Sequence, residues 1–173
     1  QLNENYVFLN KILSVPAAAA IERLAETESH WTLNEKWFLS KHDAVWTLKN
    51  ASERQSAGED ELTGLCEVGK RLIEDKFNAV IGRRFEIKVT KMQRGQAVGI
   101  HNDSPDGARG RTEGYRLLYY PNRRYTDSNG GHLFFLASDR GPVIAGVRPI
   151  FNSGLLMRLS DHSYHAVSRV TRG

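Results

Sequence analysis

The sequence has one cysteine, Cys66, among 173 residues. That excludes an internal disulfide and a cysteine-built zinc site, and makes a reducing, cytoplasmic compartment the expectation. Long hydrophobic runs are lacking too. The longest, Val15 to Ile21, is mostly alanine and falls well short of the roughly 20 apolar residues of a membrane helix, so no membrane partner is expected. Neither sign of charge dominates: 24 Lys and Arg against 20 Asp and Glu leave a formal +4, a mild bias toward anionic partners. Aromatics are not interleaved with basic residues along one stretch, apart from Tyr115, Tyr119, Tyr120 and Tyr125 near a basic loop, which argues against nucleic acid as the partner. Low-complexity segments and internal repeats are also missing.

What is present is an ordinary globular composition, 40% hydrophobic and 25% charged, in a chain long enough to bury a core without staples. One domain over 1–173 is expected, with 1–82 a helical layer and lead-in strands and 83–173 a β core. Tyr6, Phe8 and Leu13 alternate loosely. Pro16 opens an alanine-rich helix ending near Glu28. Trp31, Leu33, Trp37, Leu39, Val45, Trp46 and Leu48 suit one or two strands, the tryptophans serving as core. Leu62, Leu65, Leu72, Ile73, Phe77, Val80 and Ile81 recur at helical spacing, with Gly82 as the terminator. The period then changes to two at Phe85, Ile87 and Val89. Strands are expected at 84–93, 97–101, 115–120, 132–137, 143–150, 154–160 and 164–170, separated by turns such as Asn129-Gly130-Gly131 and Gly141-Pro142. The fold class this implies is mainly β with α: a jelly roll, or double-stranded β-helix, with N-terminal helices packed on one outer face.

The strand ending at Ile100 runs into His101-Asn102-Asp103, which places an imidazole and a carboxylate two residues apart on one side of an extended chain. A second imidazole, His165, lies in a later extended segment. Two histidines and one carboxylate on one face of an ion form the facial triad that suits non-haem Fe(II) and leaves coordination positions open. Taken alone, His-x-Asp also fits a hydrogen-bonded surface pair at a strand end.

The ordered set Gln96-Ala97-Val98-Gly99-Ile100-His101-Asn102-Asp103, Tyr119-Tyr120-Pro121-Asn122, Gly130-Gly131-His132-Leu133, Gly154-Leu155-Leu156 and His165-Ala166-Val167 resembles the 2-oxoglutarate and Fe(II)-dependent dioxygenases of the prolyl 4-hydroxylase-like branch. It spans about residues 84 to 173. The resemblance implies a double-stranded β-helix with His101, Asp103 and His165 as the iron ligands and catalytic centre. It also implies 2-oxoglutarate and O₂ as cosubstrates, with ascorbate an optional addition, and oxidative decarboxylation coupled to hydroxylation of an unactivated carbon. Tyr120 matches a tyrosine that hydrogen-bonds the distal carboxylate of 2-oxoglutarate; its other reading is a core aromatic. The substrate class implied is an amino-acid side chain in a peptide or protein, or a free amino acid.

Three departures from the family pattern stand out. The basic residue that pairs with the distal carboxylate falls just past Gly173. Either the given chain stops before the last strand, or Arg172 or Arg169 substitutes, or the second iron histidine is His162, which puts Arg172 at the right distance. The first reading is favoured, because Ala166 and Val167 fit the pattern after His165. Met92 stands where many relatives carry tyrosine. His132 follows Gly-Gly where Glu is common, and reads either as a substrate contact facing the pocket or as an exposed strand residue.

After Asp103 comes a loop rich in Gly, Pro and Arg, with Arg109 and Arg111 inside it and Arg116, Arg123 and Arg124 beyond. It reads as a lid gripping an acidic substrate or as a solvated loop. Arg116, opening a strand, is the arginine expected to face inward and bind substrate. The rival readings are a nucleic-acid dealkylase of the same superfamily, a metal-free or metal-binding jelly-roll module, and a cupin-like metalloenzyme without 2-oxoglutarate. Oligomeric state leaves no mark in the sequence.

Overall fold

The computed structural model describes residues 4–27, 31–35, 41–47, 59–82, 86–103 and 114–172. In chain order they form β1 (Tyr6–Asn10), α1 (Val15–Thr27), β2 (Thr32–Asn34), β3 (Lys41–Thr47), α2 (Glu59–Phe77), β4 (Glu86–Lys91), β5 (Val98–His101), β6 (Gly114–Tyr120), β7 (Leu133–Leu136), β8 (Val143–Val147), β9 (Ser153–Leu159) and β10 (His165–Val167). All pairings are antiparallel, in three sheets ordered β1-β9-β6, β5-β10-β7-β8 and β2-β3-β4.

The first two sheets enclose the core, giving the jelly-roll arrangement. Because side chains alternate along a strand, the inner row of β9 is Leu155 and Met157, which meets Tyr6 of β1 and, across the core, Leu133, Phe135 and Val147. Tyr6 stacks obliquely on Phe135, ring centroids 4.2 Å apart. Leu156 points the other way, beside Leu117 in the register of β6. The Leu117 side chain lies close against Gly69 of α2. Strand β9 is thus covered on both faces, which is why Ser153 to Met157 reads as a continuous buried run and not as an alternation.

The helices start and stop for local reasons. Ser14 caps α1, its carbonyl accepting from Ala18 N at 2.9 Å, and Ala18 and Ile21 form the buried stripe. Helix α2 buries Leu62 and Ile73. It ends at Phe77 and not at Gly82, because Asn78 takes a left-handed conformation with φ 49, which asparagine tolerates. The Glu74 carboxylate then accepts from Ile81 N at 3.1 Å.

Two further features depart from the expected layout. Tyr6–Asn10 is a full member of a jelly-roll sheet, paired with β9 from Tyr6↔Met157 to Asn10↔Ser153, because its alternation matches the inner row of that strand. Glu86–Lys91 pairs instead with β3 in the third sheet, although it lies in the stretch assigned to the β core. Trp31 is half-buried beneath the Lys91 ammonium, 4.4 Å from the ring centroid. Trp37 and the side chain of Trp46 lie outside the described residues. No helix among the described residues is long and apolar enough to cross a membrane.

Candidate metal centre

Strands β5 and β10 are neighbours, and their register sets His101 directly opposite His165. The two rings lie 4.2 Å apart. Asp103, two residues beyond His101, returns to the same side. Its Oδ2 is 3.0 Å from His165 Nε2 and its Oδ1 is 3.7 Å from His101 Nε2. One ligand atom from each of the three lies within 4.8 Å of the others. His162, the alternative second histidine, is exposed on the preceding turn, its backbone N–H bound to Ser160 Oγ.

Both rings are held in the same way. His101 Nδ1 lies 2.9 Å from the Gly99 carbonyl and His165 Nδ1 lies 2.8 Å from the Ser163 carbonyl. A carbonyl oxygen only accepts, so each Nδ1 carries the proton and each Nε2 is turned toward Asp103. Metal-binding histidines are oriented by this kind of outer hydrogen bond. Burial, reinforced by the neighbouring His165 ring, holds His101 below the ordinary histidine range. For Asp103, burial would raise the pKa, but the contact with His165 and the Arg116 guanidinium outweigh it and hold the value at about 2. Potential ligand atoms thus converge from three residues, an arrangement that a cation seated among them satisfies. The donor set, two imidazole nitrogens and one carboxylate oxygen, fits Fe(II) and leaves half of an octahedron open.

Strand β6 supplies the opposite wall. Its register places Arg116 against Met157, Leu118 against Leu155 and Tyr120 against Ser153, so these three share the inner row. The Arg116 guanidinium forms an ion pair with Asp103. Tyr120 packs against the core cluster, and burial drives its phenol pKa well upward. It is therefore a neutral donor.

The remaining expected site residues fall elsewhere. His132 lies on the outer face of β7's sheet: Leu133 and Phe135 occupy the inner row, whereas His132 packs edge-on with Phe134 and Tyr125, centroids 6.1 and 6.2 Å away. It is half-buried, and its Nε2 is sequestered from solvent. Parity along the strand turns it away from the triad. Arg172 is exposed, its carbonyl accepting from Asn129 Nδ2 at 3.2 Å, and Arg169 donates to the Gly95 carbonyl at 2.6 Å. Among the described residues neither guanidinium is hydrogen-bonded to Tyr120. Arg109, Arg111 and the rest of the loop read as a lid lie outside the described residues.

Sequence reasoning missed the two carbonyls that orient the histidines, although each lies two residues before its ring, and it missed Phe135, whose ring centroid is 6.5 Å from that of His165. The carbonyls leave no side-chain signal; Phe135 was readable only as an apolar strand residue.

Among solved structures the chain is similar to a prolyl 4-hydroxylase from Pseudomonas putida, with TM-score 0.71 and 18% identity over 97% of this chain and 86% of that one. It is also similar to a prolyl hydroxylase from Trichoplax adhaerens in complex with a hypoxia inducible factor oxygen degradation domain peptide fragment, with TM-score 0.74 and 16% identity over 98% and 80%. A 2-oxoglutarate and Fe(II) oxygenase family protein from Burkholderia pseudomallei matches with TM-score 0.61 and 18% identity over 98% and 79%. At these identities the likeness establishes a shared fold. No family model matches the chain, and no curated protein does.

Proposed function

We propose that the protein is a 2-oxoglutarate and Fe(II)-dependent dioxygenase that hydroxylates an amino-acid side chain in a peptide or protein. The observation that carries this is the convergence of His101 Nε2, His165 Nε2 and the Asp103 carboxylate, each imidazole fixed through Nδ1, inside a fold shared with prolyl hydroxylases. Iron with its cosubstrates supplies the oxidising chemistry when bound. The chain's own part is to hold and shield. His101, Asp103 and His165 hold the ion. In this reading Tyr120, neutral and half-buried on the inner row of β6, donates a hydrogen bond to a carboxylate of the cosubstrate. The packed core behind His165 keeps water from that side. A peptide substrate is supported by the Trichoplax neighbour, which was solved with a peptide. A cytoplasmic setting accords with the lone Cys66, whose thiol pKa burial and Glu67 push up to about 11, so that it stays a thiol. All described segments belong to one candidate domain.

The test is an anaerobic titration with Fe(II) followed by 2-oxoglutarate, reading the visible metal-to-ligand charge-transfer band. The band is expected in the parent and in His162→Ala, and not in His165→Ala or Asp103→Ala. Tight metal binding without a band would point to a cupin-like metalloenzyme. Absence of metal binding would leave a jelly-roll binding module.

A further inference from the structure

The inner row of β6 begins with a charge. Arg116 opposes Met157, a fully buried core residue, yet its own side chain keeps 41% of its surface exposed. It therefore reaches from the core wall to the mouth of the site. Its one partner among the described residues is Asp103, contacted through Nη1. The other guanidinium donors, Nε–H and Nη2–H included, form no bond there. A guanidinium carries five N–H donors in a rigid fork that matches a carboxylate. With Arg116 and Asp103 alone the site is neutral. Metal ligation keeps both imidazoles uncharged, so a divalent ion leaves the loaded site with two net positive charges. It also takes electron density from the carboxylate that was the guanidinium's counterion. What remains is a half-exposed fork beside a dication, two poles that an anion can bridge or share.

The geometry points to Arg116 as the anion receptor of this site, taking a carboxylate bound beside the metal. This rests on the metal-centre reading above. The carboxylate has two sources of the same chemistry, the cosubstrate and a substrate that carries an acid group. Asp103 Oδ2 touches both Arg116 and His165 Nε2, so the receptor lies at the triad end of β6, four residues from Tyr120 and about 13 Å along the strand. One residue does not duplicate the other.

The experiment uses the Zn(II)-loaded protein, in which binding is separated from turnover, and isothermal calorimetry on the parent, Arg116→Gln and Arg116→Lys. One arm titrates 2-oxoglutarate. The other titrates N-acetyl-L-proline against its amide with 2-oxoglutarate saturating. Arg116→Gln is expected to take zinc at least as tightly as the parent, since a cation beside the ion is removed. It is expected to lose about 10- to 100-fold in carboxylate affinity, the range of hydrogen bonds to charged groups. Loss in the first arm assigns the carboxylate to the cosubstrate; loss of the acid-over-amide preference in the second assigns it to the substrate. Arg116→Lys keeps the charge without the fork and is expected to fall between. It decides the matter if the Gln variant does not fold: equality with the parent in both arms overturns a fork-bound carboxylate. Loss of zinc itself in Arg116→Gln, with unchanged carboxylate affinity per loaded site, would make Arg116 a structural partner of Asp103 and overturn the receptor alone. So would full zinc and two unchanged arms. A parent that takes no zinc overturns the dioxygenase reading and the receptor together.

Discussion

Asn152 opens a test of how the site wall is held. The residue is 4% exposed and sits in the left-handed region at φ 56. Its Nδ2 donates to the Leu13 carbonyl at 2.8 Å, and its Oδ1 accepts from Leu13 N at 3.0 Å and from the Tyr119 hydroxyl at 3.2 Å. Its backbone N–H donates to the Tyr120 carbonyl at 2.8 Å. One side chain thus ties the approach to α1, the start of β9 and the end of β6 that carries Tyr120. Asn152→Ala removes three hydrogen bonds worth about 0.5–1.5 kcal/mol each, so about 2–4 kcal/mol together. It also places a Cβ-bearing residue without a local polar contact in the left-handed region, at about 1–2 kcal/mol. The expected loss is therefore about 3–6 kcal/mol by urea denaturation with an unchanged m-value. Asn152→Gly loses the same side-chain bonds without the left-handed penalty, and is expected to be about 1 kcal/mol less damaging. Zinc affinity is expected to stay within about 2-fold in both, because the triad lies at the other end of β6. An alanine variant within about 0.5 kcal/mol of the parent, or a glycine variant worse than alanine, would refute the reasoning.

Two further outcomes follow from the same geometry. Gly130 has φ 72, and a Cβ there would meet the Arg169 carbonyl oxygen at 2.2 Å, whereas at Gly131, φ 69, it would meet only the Val170 side chain at 3.6 Å. Gly130→Ala is expected to unseat the Gly130↔Val170 bridge and to cost at least about 2 kcal/mol more than Gly131→Ala, which carries mainly conformational strain; chemical denaturation of the pair checks it. Zinc held at a free concentration about 100 times its Kd is expected to stabilise the parent by about 2.7 kcal/mol, a rise of roughly 5–10 °C in melting temperature for a chain of this size, and Asp103→Ala by nothing measurable; equal shifts in both would place the ion elsewhere.

The sequence was most readable where a single period ran uninterrupted. Strands 98–101, 114–120, 133–136 and 153–159 lie within one residue or so of their expected bounds, because alternation and glycine turns act locally. Helix α2 was recognised from its apolar stripe, but its end was misplaced by four residues. Val80 and Ile81 continue the apolar pattern past the break at Asn78, and Val80 is 96% exposed. Partnership between strands was less readable. That Tyr6–Asn10 joins β9 while Glu86–Lys91 joins β3 is decided by which faces are left to cover, a property of the assembled sheets. The same limit applied to His132. Its place after two glycines marks a strand start, yet the face it takes depends on whether Leu133 or His132 meets Val167 across the ladder.

The triad shows why local spacing reached part of the site and no further. His101 and Asp103 are two residues apart, so an extended backbone alone puts them on one side. His165 joins them only because β10 inserts between β5 and β7, with His165 opposite both His101 and Phe135. Its position is therefore clamped from two sides and its side chain is 4% exposed, whereas His101 lies on the strand that ends this sheet among the described residues. That asymmetry favours a centre in which the inner histidine is rigid and the outer pair adjusts. The outer carboxylate is also the group that Arg116 holds. His101 and Asp103 lie nearer the solvent than His165, so in the proposed centre metal loading and anion capture share one carboxylate, that of Asp103.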